Sequence, residues 1–263
     1  MRVALTIAGS DSGGGAGIQA DLKTFQQFGV FGTSVIVALT AQNTTGVRAV
    51  HTVPAEIVEA QLDALAEDLP PDAVKTGMLA DAPLVALVAA AIRVRAWSPY
   101  VLDPVMVASS GDPLLDPDAI ALVRSELLPL ATLVTPNLHE AELLTGGAVR
   151  DPAGMERAGQ ILVALGAGAA LIKGGHLEGG TLTDVLVTSS ATYRFEHERL
   201  DTQATHGTGC TLSAAITAGL ARGDDLMRSV STAVDYVHRA IAAAPGLGRG
   251  RGPLHHGVPA DQP

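Results

Sequence analysis

Short apolar runs alternate along the chain with segments whose apolar residues recur every three or four positions. The runs are typical of buried strands, and the recurring positions are typical of one face of a helix. Ile18, Leu22, Phe25 and Phe28 form the first such face, and Gly29 follows it as a helix C-cap. Strands are predicted over residues 3–7, 34–40, 73–76, 100–102, 131–134 and 169–172, and a hairpin over 182–188 and 192–195. Helices are predicted over residues 18–28, 54–67, 81–95, 116–127, 138–144, 152–165, 210–221 and 225–243.

This alternation predicts a single-domain α/β fold with a mostly parallel central sheet and helices on both faces. The sequence contains no internal repeat and no linker that divides the core, so residues 1–245 are expected to form one domain. Residues 246–263 are rich in Gly, Pro and His and are expected to form a loosely structured C-terminal tail. In folds of this class, ligands bind outside the carboxyl ends of the parallel strands.

The residues with the most distinctive chemistry follow the predicted strands. Lys75 and Lys173 are two of three lysines, and each follows an apolar run and precedes a glycine within two positions. Each lysine has two interpretations. It has a functional role at the strand end, or its aliphatic stem only carries the ammonium group from a buried strand to solvent. The other strand ends carry the glycine-rich segment 9–17, Gln42, Asp103, residues 135–140 and residues 207–210.

The Gly-Thr-Gly turn at residues 207–209 runs directly into a predicted helix. Free backbone N–H groups and the helix dipole at such a turn favour an anion, most often a phosphate. A tight bend that feeds a packed helix explains the same residues. The turn lacks the Lys-Ser/Thr of a P-loop, and Leu212 stands where a dinucleotide fingerprint needs a third glycine.

Composition narrows the choice of ligand. The net charge is −10 and aromatic residues make up 3% of the chain, so a nucleic-acid surface is excluded. A polyanionic ligand would therefore need local donors and a metal ion. The single cysteine excludes an internal disulfide, and the apolar run at the start is too short for a signal peptide. We expect a soluble cytoplasmic protein.

A glycine turn, two strand-end lysines and isolated acids suit phosphoryl transfer, which needs positioning and charge neutralisation. Asp103, Asn137 and Glu140 are expected to organise Mg²⁺, with Asp103 and Glu140 acting through water because this ion keeps much of its hydration. Asn137 and Glu140 also have the spacing of a capping box, and the two interpretations are compatible.

Cys210 has three interpretations. It is a small buried residue, a thiolate base favoured by the helix dipole, or a nucleophile assisted by His206. A bound phosphate would oppose the thiolate, and the sequence shows no acid that would orient His206 for the nucleophilic role.

Several blocks of the chain together resemble the bacterial hydroxymethylpyrimidine/phosphomethylpyrimidine kinase family of thiamin biosynthesis, within the ribokinase-like superfamily. The most specific are Gly-Ser-Asp-Ser-Gly-Gly-Gly-Ala-Gly at residues 9–17 and Thr-His-Gly-Thr-Gly-Cys at residues 205–210. Further matching blocks are residues 41–44, 75–79, 103–107, 111–115, 135–137 with Glu140, 173–176 and 252–256.

The resemblance implies a role for each candidate residue. Gln42 should hydrogen-bond an aminopyrimidine, with Asp21, Met78 and Gly9 in the same pocket. Gly207, Thr208 and Gly209 should form the anion site for the transferred phosphoryl group, beside Cys210 as the base. The residues expected to hold ATP and Mg²⁺ are Asp103, Thr135, Asn137, Glu140, Lys173 and Thr208.

The implied activity is ATP-dependent phosphorylation of 4-amino-5-hydroxymethyl-2-methylpyrimidine and then of its monophosphate, by a homodimer. A pyridoxal kinase is the nearest alternative, and a non-catalytic pyrimidine or nucleotide sensor is a remoter one. The chain departs from the family at Ser109, where a lysine is usual, so a phosphate contact from that loop is in doubt.

Overall fold

The computed structural model describes residues 1–106, 115, 117–175 and 180–260. Over these residues nine strands form one sheet in the order β3-β2-β1-β4-β5-β6-β7-β8-β9. The pairs from β2 through β7 are parallel, and β3, β8 and β9 pair antiparallel at the two edges. The strands are Val3–Asp11 (β1), Phe31–Asn43 (β2), Gly46–Thr52 (β3), Ala73–Thr76 (β4), Tyr100–Leu102 (β5), Leu133–Val134 (β6), Ala169–Ile172 (β7), Thr181–Thr188 (β8) and Thr192–Glu198 (β9).

Helices connect the strands and begin where the sequence places caps. Asp81 caps the third helix by accepting a hydrogen bond from the Leu84 N–H at 3.0 Å, with Pro83 in the first turn. The helices are Gly17–Gln27 (α1), Ala55–Asp68 (α2), Ala82–Arg95 (α3), Pro117–Leu122 (α4), Leu138–Thr145 (α5), Pro152–Ala164 (α6), Thr208–Arg222 (α7) and Leu226–Ala242 (α8). A π turn at Val123–Leu127 and a 3₁₀ turn at Leu128–Leu130 extend α4.

The helices cover both faces of the sheet, as predicted. Val58, Leu84 and Leu162 represent the core that α2, α3 and α6 form with one face. On the other face Phe25 of α1 packs with α7 and α8. The core strands are buried on both faces, which explains why strands such as Tyr100–Leu102 and Ala169–Ile172 are continuous apolar runs.

The hairpin formed by β2 and β3 was not predicted. Sequence analysis ended the second strand at residue 40, whereas β2 continues to Asn43 and turns into β3. Five of the seven β3 residues are exposed, so this edge strand has no apolar run to reveal it. The hairpin matters because it carries Gln42.

The C-terminal segment corrects a second expectation. Residues 246–260 are not loosely structured. The Arg251 N–H donates to the Thr44 carbonyl at 2.9 Å, and the His206 N–H donates to the Gly252 carbonyl at 3.1 Å. The Tyr236 hydroxyl donates to the His256 carbonyl at 2.8 Å. Proline and glycine suppress regular structure here, but these contacts tie the segment to the domain.

Among the residues that the structure describes, no helix is both long and apolar enough to cross a bilayer.

Candidate active site

A cavity of about 1140 Å³ opens at the carboxyl ends of the parallel strands, where the fold class predicts a ligand. Most of the residues singled out from the sequence line it. They are Gly9, Gln42, Met78, Asp103, Asn137, Glu140, Lys173, Gly207, Thr208, Gly209 and Cys210.

One side of the cavity is formed by Gly9, Asp11, Gln42, Met78 and His206, which we call the glutamine wall. Gly9 has no side chain because Met78 lies against it, and a Cβ at Gly9 would meet the Met78 methyl carbon at 2.6 Å. The Met78 thioether therefore lies against β1 at Gly9, and both residues line the cavity with Gln42.

Asp11 anchors this wall. Its carboxylate accepts hydrogen bonds from the N–H groups of Gly13 (2.7 Å), Gly15 (3.0 Å) and Ala16 (2.9 Å). His206 Nε2 lies 2.8 Å from Asp11 Oδ2. Burial alone would raise the pKa of Asp11, but the hydrogen bonds from His206 and the backbone hold it below its usual value.

Gln42 lies beside this pair. Its amide nitrogen is 3.4 Å from His206 Nε2, and its amide oxygen is 3.2 Å from Thr40 Oγ1. The sequence indicates no role for Asp11 and no direction for the His206 side chain. The two residues are far apart in the chain, so no local pattern connects them.

The turn at residues 207–210 joins the glutamine wall to the rest of the cavity. Gly207 has φ +85°, and a Cβ there would lie 1.8 Å from the Gly15 carbonyl oxygen. Helix α7 begins at Thr208, two residues earlier than predicted, because Gly207 in this left-handed conformation serves as its N-cap. The first-turn amides have no acceptor within the helix and lie at the cavity.

The opposite side carries the charge cluster, which we define as Asp103, Asn137, Glu140 and Lys173. Lys173 Nζ lies 3.2 Å from Asp103 Oδ1 and 4.0 Å from Glu140 Oε2. A Cβ at Gly209 would lie 3.0 Å from the same Nζ, so the ammonium group reaches the start of α7.

The capping box predicted for Asn137 and Glu140 is confirmed. The Glu140 N–H donates to Asn137 Oδ1 at 3.0 Å, and the Asn137 N–H donates to Glu140 Oε2 at 2.8 Å. Burial, only partly offset by Lys173, raises the pKa of Glu140 to about 7. Burial alone would raise the pKa of Asp103, but the charges of Lys173 and Lys75 and the hydrogen bonds from Lys173 and Ser213 together lower it.

Asp21 does not line the cavity, contrary to expectation. Its carboxylate is fully buried beneath the cavity floor and pairs with Lys75, whose Nζ lies 2.9 and 3.1 Å from the two oxygens. Thr6 Oγ1 donates to Asp21 Oδ2 at 2.6 Å. Burial alone would lower the pKa of Lys75, but the acidic groups around it, Asp21 first among them, together raise it. With these partners, Asp21 stabilises the buried residues beneath the cavity.

Thr135 also lies below the cavity lining. It is fully buried, and its hydroxyl lies 3.5 Å from the Leu102 carbonyl oxygen and 3.4 Å from Asp103 Oδ1. Thr135 therefore contacts Asp103 and does not line the cavity itself. Ser109, where the sequence departs from the family, lies outside the described residues.

Cys210 is half-buried at the cavity, in the first turn of α7. Burial raises the pKa of its thiol to about 12, and the Lys75 charge beneath opposes this only in part. The helix dipole therefore does not produce a resting thiolate, contrary to one interpretation of the sequence. The thiol is protonated at neutral pH.

Comparison with known proteins identifies the family. The family model for phosphomethylpyrimidine kinase matches residues 11–255. A hydroxymethylpyrimidine/phosphomethylpyrimidine kinase of Rhizobium meliloti is 56% identical over 257 residues, which cover 97% of this chain and 96% of the relative. The chain belongs to the phosphomethylpyrimidine kinase family.

Solved structures of related kinases share the fold of this family member. A pyridoxal kinase of Bacillus subtilis in complex with ADP has a TM-score of 0.92 at 38% identity, with 97% of each chain covered. A phosphomethylpyrimidine kinase of Clostridium difficile has a TM-score of 0.83 at 41% identity, covering 92% of this chain and all of that one. These likenesses confirm the predicted ribokinase-like fold.

Proposed function

We propose that this chain is an ATP-dependent kinase that phosphorylates 4-amino-5-hydroxymethyl-2-methylpyrimidine, and then phosphorylates the monophosphate to the diphosphate. One observation carries the proposal: Gln42 and the glycine turn at 207–209 line the same cavity. A ring held at the glutamine wall would place its hydroxymethyl group toward the first turn of α7. Membership of the phosphomethylpyrimidine kinase family supports this substrate class.

The glutamine wall supplies the ring site. The Gln42 amide offers a donor and an acceptor, and Met78 offers an apolar surface beside Gly9. A polar ring with an exocyclic amino group fits this combination. Because the Gln42 amide has a donor on one side and an acceptor on the other, the glutamine wall also determines which edge of the ring faces the protein.

The turn and Lys173 supply the phosphate site. Backbone N–H groups of Gly207, Thr208 and Gly209 meet the transferred phosphoryl group at the positive end of α7. Lys173, within reach of Gly209, contacts the nucleotide phosphates. Fixed donors of this kind stabilise charge that develops on the oxygens during transfer.

The charge cluster fits a hydrated Mg²⁺ that arrives with the nucleotide. Asp103 and Glu140 both reach the cavity, whereas the described residues contain no group of three or more His, Cys, Asp or Glu that would cage a metal. Mg²⁺ commonly binds through one or two carboxylates and keeps several waters. When bound, the ion neutralises phosphate charge. Asp103 is pre-oriented for it by Ser213, whose hydroxyl donates to Asp103 Oδ2 at 3.2 Å.

Cys210 is the proposed proton acceptor for the substrate hydroxyl. Its thiol is protonated at rest, so the thiol proton must first pass to water in the cavity, and the Lys75 ammonium group beneath it favours the thiolate that this step leaves. Phosphoryl transfer through a loose transition state demands little from a base until the new bond forms. The thiolate then accepts the hydroxyl proton late in the reaction, and the high pKa of the thiol makes that thiolate a strong acceptor.

Pyridoxal is the second candidate substrate, because a pyridoxal kinase of Bacillus subtilis shares the fold at 38% identity. Pyridoxal has a comparable hydroxymethyl group but no amino group beside a ring nitrogen. It would therefore use Met78 and the phosphate site while leaving part of the Gln42 amide unpaired. We expect weaker turnover on pyridoxal and none on a pyridoxal phosphomonoester.

The test is a coupled assay of ADP release from the purified protein with ATP, Mg²⁺ and each ring substrate in turn. The expected result is turnover on the hydroxymethylpyrimidine and on its monophosphate. Ring binding without ADP release would instead support a sensor. Turnover on pyridoxal alone would make the chain a pyridoxal kinase.

We further propose a cytoplasmic homodimer. The β2–β3 edge carries apolar side chains that are about half exposed, among them Leu39 at 48% and Val50 at 49%, and a second subunit would cover them. Light scattering of the purified protein, expected to give twice the chain mass, tests the dimer. We also propose that residues 1–245 form one kinase domain, to which hydrogen bonds attach the C-terminal segment 246–260.

A further inference from the structure

We propose that His206, anchored by Asp11, fixes the orientation of the Gln42 side-chain amide and thereby selects which edge of a ring the site accepts. His206 is then a positioning residue that determines specificity. This role rests on the proposed pyrimidine site. It adds that the buried pair of Asp11 and His206 determines the orientation of the Gln42 amide.

The first step concerns the proton on His206. Asp11 already accepts three backbone N–H groups, so its carboxylate is ionised and can only accept. His206 Nε2 lies 2.8 Å from Asp11 Oδ2, which requires a proton on Nε2. This holds whether the imidazole is neutral or charged. The single N–H of His206 Nε2 is therefore directed at Asp11, and this nitrogen has no lone pair with which to accept a hydrogen bond from the Gln42 amide.

The second step concerns Thr40 on the other side of Gln42. Thr40 Oγ1 lies 2.9 Å from the Ser10 carbonyl oxygen, which can only accept, so the hydroxyl proton points there. Toward the Gln42 amide, 3.2 Å away, the same oxygen is left as an acceptor.

Together these two neighbours assign the amide. The position that faces His206 at 3.4 Å cannot be a donor, because the protonated Nε2 accepts no hydrogen bond, and the position that faces Thr40 needs a donor. A rotation of the Gln42 amide by half a turn about its last bond places the oxygen toward His206 and the nitrogen toward Thr40. Both conditions are met only in this orientation, in which the heavy-atom positions are unchanged.

The remaining edge of the amide is then defined. One oxygen lone pair and one N–H stay free at the outer end of Gln42, side by side. This is the pair with which glutamine binds an amino group next to a ring nitrogen, as in adenine recognition. An aminopyrimidine has that edge, whereas pyridoxal does not. A freely rotating amide would present the mismatched edge for part of the time.

The imidazole is held so that it cannot swing away. The His206 N–H donates to the Gly252 carbonyl at 3.1 Å, which ties its backbone to the C-terminal segment. A Cβ at Gly15 would lie 2.7 Å from His206 Cδ2, so the ring packs directly on the glycine loop. His206 is buried, with 7% of its surface exposed. Its donor therefore has one available direction.

The test uses two substitutions of similar length. His206→Met removes the donor, and His206→Gln keeps an N–H near the position of Nε2. We expect His206→Met to weaken calorimetric binding of the hydroxymethylpyrimidine, and to raise its KM, by about 10-fold, the cost of one lost buried hydrogen bond plus the misoriented amide. The KM for ATP should stay close to wild type, the fold-loss should be smaller for pyridoxal than for the hydroxymethylpyrimidine, and His206→Gln should restore most of the pyrimidine affinity.

A double-substitution cycle separates orientation from simple damage to the fold. In a Gln42→Ala background, His206→Met should change pyrimidine affinity by less than about 2-fold, because the residue acts through Gln42. An equal loss in both backgrounds would overturn the proposal, as would an equal loss on pyridoxal or an unchanged affinity in the single variant. His256→Asn, which alters another buried histidine outside the cavity lining, is the matched control and should affect stability only.

The binding measurement keeps this proposal distinct from the proposed activity. If the wild-type protein binds the pyrimidine but releases no ADP, the kinase function fails while the His206 test still applies. If the wild-type protein turns over the pyrimidine and His206→Met binds it equally well, the orientation of Gln42 does not depend on His206.

Discussion

The two sides of the cavity are built on different principles. In the glutamine wall, His206 contacts both Asp11 and Gln42, and the backbone of the glycine loop binds Asp11. In the charge cluster, the single ammonium group of Lys173 faces two carboxylates, at 3.2 and 4.0 Å, in a buried setting. The hydrogen bonds of the glutamine wall are formed without a ligand. The charge cluster has two carboxyl groups for one ammonium group, and a bound metal ion and phosphates would change that charge balance.

This difference has a consequence for kinetics. Interactions that bind substrate and transition state equally lower KM, and interactions that form as charge develops raise kcat. Changes in the glutamine wall should therefore act mainly on the KM of the ring substrate. Changes in the charge cluster and at the first turn of α7 should act mainly on kcat and on ATP.

The largest effect is expected at Cys210, where the two sides meet. Cys210→Ala should lower kcat for the pyrimidine by about 10²–10⁴-fold, the usual contribution of a positioned base, with little change in ring affinity. Steady-state kinetics and calorimetry on the same protein measure the two quantities. Near-normal turnover would reduce Cys210 to a residue that lines the cavity.

Lys173→Met is expected to have the next largest effect. Loss of the ammonium group should lower kcat/KM for ATP by about 10²–10³-fold, as for loss of one transition-state donor, while ring affinity is kept. Arg93→Met is the matched control, because it removes an exposed cation that pairs with Glu126 on the surface. Lys173→Met also leaves buried carboxylates unpaired, so thermal unfolding must be measured alongside. A parallel loss of ring binding would contradict the separation of the two sides.

The sequence predicted the elements that are buried on both faces. Strands such as Tyr100–Leu102 and Ala169–Ile172 were placed at their observed bounds because a two-sided core demands continuous apolar residues. The edge strand Gly46–Thr52 is mostly exposed, so it needs no continuous apolar residues, and the sequence pattern did not predict it. The C-terminal segment was missed for a related reason, since its contacts are made by backbone groups and single side chains.

The candidate site shows the same division. Glycines and charged residues at strand ends indicated Gly207, Lys173 and Glu140, because strand ends of a parallel sheet converge. The pairing of Asp11 with His206 joins residues 195 positions apart and leaves no local pattern. Asp21 was misplaced because an acid on the first helix can point either into the cavity or into the floor, and only the position of Lys75 decides between them.

Gln42→Ala should have a smaller effect than Cys210→Ala or Lys173→Met, and it should change the KM of the ring substrate rather than kcat. Loss of the amide should raise the KM of the pyrimidine by about 10-fold to 100-fold through two missing hydrogen bonds, and leave the KM for ATP unchanged. Gln61→Ala is the matched control, because Gln61 binds the backbone of Ile36 outside the cavity. That variant should lose stability and keep its KM. A large fall in kcat for Gln42→Ala would show that the wall takes part in the chemical step.

The smallest effect is expected from Glu140, and it depends on pH. Because burial raises the pKa of Glu140 to about 7, the carboxylate is neutral below that pH and ionised above it. If the ionised form helps to hold the metal and phosphates, kcat/KM for ATP should rise several-fold from pH 6 to pH 8 and then level off.

Glu140→Gln should remove this rise without removing the helix cap, since the amide oxygen can still accept from the Asn137 N–H. Stability should respond with the opposite sign. The folded state binds the Glu140 proton more tightly than the unfolded chain, whose ordinary pKa is 4.5. Wild-type stability relative to Glu140→Gln should therefore fall as pH rises from about 4.5 to about 7 and stay constant above. Thermal unfolding across this range measures the effect. A wild-type pH profile that survives in Glu140→Gln would assign the titration to another group of the charge cluster, and the cluster would then act through Asp103 and Lys173 as a coupled pair.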